Sequence, residues 1–196
     1  MAPWNGNLRN EVVSYLNSEY LRHYFSGNYA EATALLRRAV EIFPESSDVH
    51  HDYGWMLWKM NQTDLAVKEL QEALAMNPRL VPARRTLASI YASRGQIEKA
   101  GEQWKQALAL DPNDVPTLVG YGVFLAGQQP SAEAIEYVRK AYRLDTEDPD
   151  VIDAYARVEY LSGNRSEARH IVLKGGRYYE GNAFFEQLRA AILGAN

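Results

Sequence analysis

Apolar and polar residues follow one another along this chain with the spacing of amphipathic helices, and the whole pattern resets every 34 residues. The alanine at position 32 returns at 66, 100, 134 and 168, and a second alanine stands seven residues after it at 39, 73, 107 and 141. That interval is two helical turns, so each alanine pair falls on one face. In the stretch preceding each leading alanine from the second cycle on, Gly54, Ala88, Gly122 and Ala156 come directly after the bulky Tyr53, Leu87, Tyr121 and Tyr155. Small beside large lets two helices approach closely and interlock. Between the two stretches stand Gly27, Asn61, Gly95, Gln129 and Gly163, mostly residues that tolerate the left-handed conformation ending a helix. Gln129 fits poorly, and Pro130 is expected to compensate by setting the start of the next helix.

The pattern predicts five helical hairpins, at 13–46, 47–80, 81–114, 115–148 and 149–182, after an N-terminal extension at 1–12. Pro44, Pro78 and Pro112 stop the second helix of a hairpin and turn the chain into the next. No such hairpin can bury its apolar face until a neighbour stacks on it. The remaining 183–196 predicts a capping helix, with Asn182 at its start and Phe184, Leu188, Ala191 and Ile192 on one stripe.

These residues resemble the tetratricopeptide repeat. The likeness covers all five segments and is closest in Gly95-Gln96-Ile97-Glu98-Lys99-Ala100 and Ala107-Leu108-Ala109-Leu110-Asp111-Pro112. Departures stand at Glu19-Tyr20, at Gly175 and, inside the array, at His50, Arg84 and Thr146, the last in the proline position. The resemblance implies an all-α fold, a right-handed α-solenoid of five helix-turn-helix hairpins with a C-terminal capping helix. It also implies a concave groove lined by the first helices, in which the family binds a peptide or helical segment of a partner.

The positions that flank the packing alanines place Leu21, Tyr24, His51, Asp52, Trp55, Trp58, Lys59, Arg85, Ser89, Val119, Val123, Arg157 and Tyr160 along that groove. Aromatic residues crowd its first half and small apolar residues its fourth repeat. Thr86 belongs to the same lining, and Gly120 and Gly127 leave room for another backbone. The expected ligand is a partly apolar segment clamped by Trp55 and Trp58 and lying against Val119 and Val123. Either tryptophan could instead tuck between hairpins, and the residues around Trp4 could occupy the groove themselves. Trp104 falls in a second-helix packing position and reads as core.

Composition narrows the choice. Twenty-one basic against twenty-five acidic residues give a net charge of −4, without the basic excess that nucleic-acid binding requires. The absence of cysteine removes disulfides, thiolate metal sites and a cysteine nucleophile together. No apolar run is long enough to span a bilayer, and no leader is evident, which predicts a cytoplasmic protein. A removed leader would make it periplasmic or membrane-associated. The spacing that grips chaperone tails offers no paired cations in any repeat triplet, which argues against a carboxylate clamp of that kind. His50-His51-Asp52 holds adjacent imidazoles about 100° apart on a helix, a poor metal site. Lys174-Gly175-Gly176-Arg177 lacks both the Gly-Lys-Ser/Thr ending and the strand of a phosphate loop, and reads as distortion near the end of the array. No cofactor is expected, and the five hairpins leave little chain for a catalytic domain. The resulting expectation is a non-enzymatic scaffold or adaptor. The alternatives are a secretion- or pilus-type chaperone holding an exported subunit, and a self-assembling scaffold.

Overall fold

The structure, a computed structural model, describes residues 6–175 and 183–194. Every regular element among them is an α-helix: α1 (Gly6–Phe25), α2 (Tyr29–Ile42), α3 (Ser47–Lys59), α4 (Thr63–Met76), α5 (Val81–Ser93), α6 (Ile97–Leu110), α7 (Val115–Gln128), α8 (Ala132–Leu144), α9 (Pro149–Leu161), α10 (Arg165–Gly175) and α11 (Ala183–Gly194). The chain divides into two compact units, Met1–Gln96 and Ile97–Asn196, at the turn inside the third sequence repeat. In the first unit α1 pairs with α2 and α3 with α4, and α5 packs on both α3 and α4. In the second unit α7 pairs with α8 and α9 with α10, α7 also lies on α9, and α11 packs on α9 and α10.

The repeating alanines are the points of closest approach. Ala32, Ala66, Ala100, Ala134 and Ala168 are all completely buried. Opposite them the first helix must also be small. A methyl added to Gly54 would meet the Leu70 side chain at 2.9 Å and the Ala66 carbonyl at 3.1 Å, and one added to Gly122 would meet Val138 at 2.7 Å and the Ala134 carbonyl at 3.1 Å.

Four of the five turns follow one design. Gly27, Asn61, Gly95 and Gly163 have φ of 77°, 60°, 67° and 84°, and the next residue's N–H reaches back to close the helix end, as from Gln62 to the Leu57 carbonyl at 2.8 Å. The turn after α7 differs because Gln129 stays extended at φ −155°. There α8 is started by Ser131, whose hydroxyl oxygen accepts from the Ala134 N–H at 3.2 Å. This corrects the role expected of Pro130: the missing left-handed residue is compensated by a side-chain cap.

The connections into the next hairpin carry a signal that the alanine pattern conceals. Asn77, Asp111 and Asp145, one repeat apart, each accept a backbone N–H two residues ahead through the side-chain oxygen, at 3.0, 2.9 and 3.1 Å. Asp145 also accepts from the Asp148 N–H at 3.0 Å, so the chain turns without a proline at Thr146. The carbonyls of Pro44, Pro78 and Pro112 each receive a side chain as well. His50 Nε2 lies 3.1 Å from the first, Arg84 Nη2 donates to the second at 2.6 Å, and Lys140 Nζ to the third at 2.6 Å. His50 and Arg84, anomalous as packing residues, thus tie each helix start to the preceding turn.

Two expectations at the ends change. Helix α1 begins at Gly6, not at 13, since no proline or glycine interrupts 7–13. In α11 Ile192 is buried in the core with Ala126, Ile152 and Val172, and Leu193 packs beside it, while Ala191 is exposed one step of 100° away. Asn182, Gly176 and Arg177 lie outside the described residues, as do the side chains of Phe184 and Leu188.

The close approach in α7 makes a pair of opposite predictions. Gly122→Ala should lower stability by about 1–3 kcal/mol through overpacking. Gly127→Ala, in the same helix with nothing within 4 Å, should raise it by up to about 1 kcal/mol by improving helix propensity. Urea unfolding midpoints of the two variants check the contrast.

Candidate functional site

In the first unit the side chains set aside by the packing periodicity gather at the C-terminal ends of α1 and α3. The Tyr24 ring lies 4.9 Å from the Trp55 ring, 5.3 Å from Phe25 and 5.5 Å from Tyr29. Lys59 Nζ sits 5.6 Å from the Trp55 ring centre and 6.0 Å from that of Trp58, close enough for a cation–π contact with each. Much of this cluster is open to solvent. Phe25 is 80% exposed, Tyr29 44% and Leu21 39%. The two tryptophans nevertheless have different backing. Trp55 packs with Tyr20, Leu36 and Met56 beneath α1 and α2, whereas Trp58 leans on the α4–α5 core of Leu70, Leu87 and Ile90.

One turn earlier on α3, a polar group borders the aromatic cluster. His51 Nδ1 lies 3.0 Å from the Asp52 carboxylate, which also lies near the Tyr20 phenol. Burial, reinforced by that carboxylate, pushes the Tyr20 phenol well above its usual range. His50 turns the other way. Its Nδ1 lies 2.7 Å from Glu69 on α4, so the adjacent imidazoles serve separate partners. On α5, Arg85 and Ser89 are half-buried, and the Ser89 hydroxyl donates to the Arg85 carbonyl at 3.1 Å. Thr86 does not line an open surface: it is buried, and its hydroxyl donates to the Pro82 carbonyl at 3.0 Å.

In the second unit Val119 and Val123 are half-buried against the α7–α9 core. Gly120 does not leave space for a foreign backbone. The indole of Trp104, itself almost fully buried, occupies the place where a Cβ would stand, so this glycine serves internal packing. Gly127 has open space around it. On α9, Arg157 Nη2 donates to Asp153 at 2.7 Å, and the Arg165 guanidinium lies 6.0 Å from the Tyr160 ring centre. Burial raises the Asp153 carboxyl above its ordinary range despite Arg157, which pulls it down. Trp4 lies outside the described residues.

A buried ionic network that periodicity does not reveal joins α8 to α9. Glu159 is 1% exposed and is held by Arg139 Nη2 at 3.2 Å and Asn164 Nδ2 at 2.7 Å. Arg139 also donates to Glu136 at 2.7 Å and to the Tyr155 phenol at 3.3 Å. The available signal was the position of Glu159 itself, where the other first helices carry His23, Leu57, Tyr91 and Leu125.

The hairpins, the positive-φ turns and the buried alanines have a family counterpart. A tetratricopeptide repeat family model matches residues 26–72 and 57–120. The chain is a tetratricopeptide repeat protein. Solved structures of the same architecture include a thermophilic tetratricopeptide protein of Thermus thermophilus, with TM-score 0.81, 19% identity, and coverage of 92% of this chain and 98% of that one. PilF of Pseudomonas aeruginosa superposes with TM-score 0.77 at 24% identity, over 95% of this chain and 85% of that one. At these identities the likeness concerns the fold. The tetratricopeptide-containing thioredoxin TTL4 of Arabidopsis thaliana is 38% identical over 77 residues, covering 39% of this chain and 11% of that relative. The chain thus spans about a tenth of that protein's length. Tetratricopeptide proteins generally act as protein–protein interaction scaffolds, and the repeat itself is typically non-enzymatic. Among the described residues, no helix is long and apolar enough to cross a membrane.

The buried phenols give this tetratricopeptide chain a defined alkaline response. Tyr20 is raised, and Tyr121 is pushed up to about 12, chiefly by burial. A folded pKa above the unfolded value of about 10 means that the stabilisation is complete below pH about 10 and is lost as pH climbs toward 12. Urea midpoints should therefore fall between about pH 9.5 and 11.5. The fall should flatten in a Tyr20→Phe/Tyr121→Phe variant, and an unchanged slope would assign it to other groups.

Proposed function

We propose that this chain is a non-enzymatic scaffold that captures an apolar segment of a partner protein on the α1–α3 face of its first unit. The observation that carries this reading is the exposed aromatic cluster around Tyr24 and Trp55, with the Lys59 ammonium set over the tryptophans. The alanines, the small first-helix residues and the turn glycines are committed to packing. Phe25, Tyr29 and Leu21 are not, and they leave a contiguous apolar surface open to water. Large rigid rings backed by a core bind at low entropic cost, which is why tryptophan and tyrosine dominate interaction hot spots.

Lys59 gives the surface a preference. A carboxylate next to an aromatic or aliphatic anchor in the ligand meets the ammonium while its neighbour covers Trp55. His51, Asp52, Arg85 and Ser89 supply a polar rim in the same unit, and Trp58 widens the apolar floor. In the second unit Val119, Val123, Arg157 and Tyr160 form the further surface proposed to meet the partner. Cofactors and metals have no part in this reading.

Selection of a displayed random-peptide library on the full chain tests it. Recovered peptides should carry an aromatic or aliphatic residue beside Asp or Glu. Their affinity should fall by at least about tenfold in Trp55→Ala and by about two- to fivefold in Lys59→Ala. Trp55 fluorescence should respond to each peptide. Undiminished affinity in a folded Trp55→Ala chain would place the binding surface elsewhere.

A further inference from the structure

Four basic side chains converge on one cavity of the second unit, and the repeat pattern does not account for them. Arg139 and Arg143 lie four residues apart on α8, and His170 and Lys174 lie four apart on α10, so each pair presents to one side of its helix. All four line a cavity of about 300 Å³, walled by Tyr142, Tyr155 and Ile171 and bordered by Glu167. The two tyrosine rings are 5.3 Å apart, and Lys174 Nζ spans from α10 to within 5.8 Å of the Tyr142 ring centre. One repeat earlier the same four positions hold Lys105, Ala109, Glu136 and Lys140, and two repeats earlier Gln71, Ala75, Glu102 and Gln106. The basic tetrad belongs to this cavity alone among these three, in a chain whose net charge is −4.

The four basic side chains are not equally occupied. Arg139 is consumed by Glu136, Glu159 and the Tyr155 phenol, and it builds the wall. Among the described residues, Arg143 and His170 meet no acceptor, and Lys174 meets only the face of Tyr142. Three sets of N–H donors therefore point into a space that offers a single carboxylate, that of Glu167. Arg143, His170 and Lys174 are all open to solvent, and unspent donors of one sign around an open cleft favour a compact anion, most strongly at low salt.

We propose that this α8–α9–α10 cavity binds a phosphate monoester, with Arg143, Lys174 and His170 contacting its oxygens and Tyr142 and Tyr155 flanking the group that carries it. Three terminal oxygens and nearly two negative charges match three donor side chains better than the two oxygens and single charge of a carboxylate do. Glu167 acts as a selectivity element. It repels any anion that cannot recover the loss through several charge-assisted hydrogen bonds. The site shares no residue with the α1–α3 aromatic surface, so either can fail without the other.

Calorimetric titration of the full chain at low salt tests the assignment, using inorganic phosphate, blocked Gly-phosphoserine-Gly and Gly-phosphotyrosine-Gly peptides, and acetate. Phosphate probes should bind and acetate should not. Arg143→Gln/Lys174→Gln should weaken phosphate binding by at least about tenfold, while Glu167→Gln should strengthen it by about two- to fivefold. Phosphopeptides binding more tightly than free phosphate would identify a phosphorylated protein segment as the source, and equal affinities a free phosphorylated molecule. The proposal is overturned if no phosphate probe binds at about 10 mM, if acetate binds as well as phosphate, or if the double variant binds undiminished. Circular dichroism melts establish that the variants are folded. Should the double variant unfold, the response of the parent to Glu167→Gln decides, and an unchanged affinity there overturns the proposal.

Discussion

Two helices joined by a short turn share an apolar stripe only if their axes come close, and at the crossing there is then room for a methyl group and little else. The leading alanines meet that condition with no exposed area at all, and at Gly54 and Gly122 even a methyl on the facing helix is excluded. Every other feature of the hairpins is arranged around this approach. The bulky neighbours Tyr53 and Tyr121 fill the flanks, and the left-handed turns at Gly27, Asn61 and Gly163 bring the second helix back at the required separation. A side chain enlarged at the crossing cannot be absorbed locally, because the backbone carbonyls of Ala66 and Ala134 form part of the wall.

That constraint is also why so much of the fold could be read from the chain. A position that admits only glycine or alanine leaves a mark at each recurrence, and the recurrence at 34 residues locates the helices and their turns. The candidate site was legible to a lesser degree. Tyr24, Trp55 and Lys59 were recognisable because they stand beside packing positions without obeying the period, and the structure brings them together. Gly120 and Thr86 misled because a groove position and an internal contact have the same sequence appearance. A glycine on the first helix serves a visiting backbone or a neighbouring indole, and only the placement of Trp104 distinguishes the two.

What sequence reasoning missed is polar and non-local. The pairing of Glu159 with Arg139 and the contact of His50 with Glu69 join residues about 20 positions apart, on adjoining helices. No helical period encodes such pairs, since each depends on two side chains reaching across a crossing and not on one face of one helix. The cap at Ser131 was legible in principle, since serine before an Ala-Glu-Ala run is a helix-start signal, but the adjacent proline drew the inference to itself. The side-chain turns at Asn77, Asp111 and Asp145 show the same competition: the prolines next to two of them carried the louder signal, and Thr146 exposed the quieter one.

The polar departures from the repeat sort into two kinds by what they touch. His50, Arg84 and Glu159 interrupt the apolar pattern, yet each has a definite acceptor or donor within its own unit, so the interruption is explained by the fold. Burying such groups is tolerable only because they are paired. Lys59, Arg143 and His170 stand at positions that vary from repeat to repeat and have no carboxylate or carbonyl partner among the described residues, and Lys59 and Lys174 rest on aromatic faces. These are the side chains on which the two proposed binding surfaces rest, the aromatic face of α1–α3 and the cavity of α8–α10.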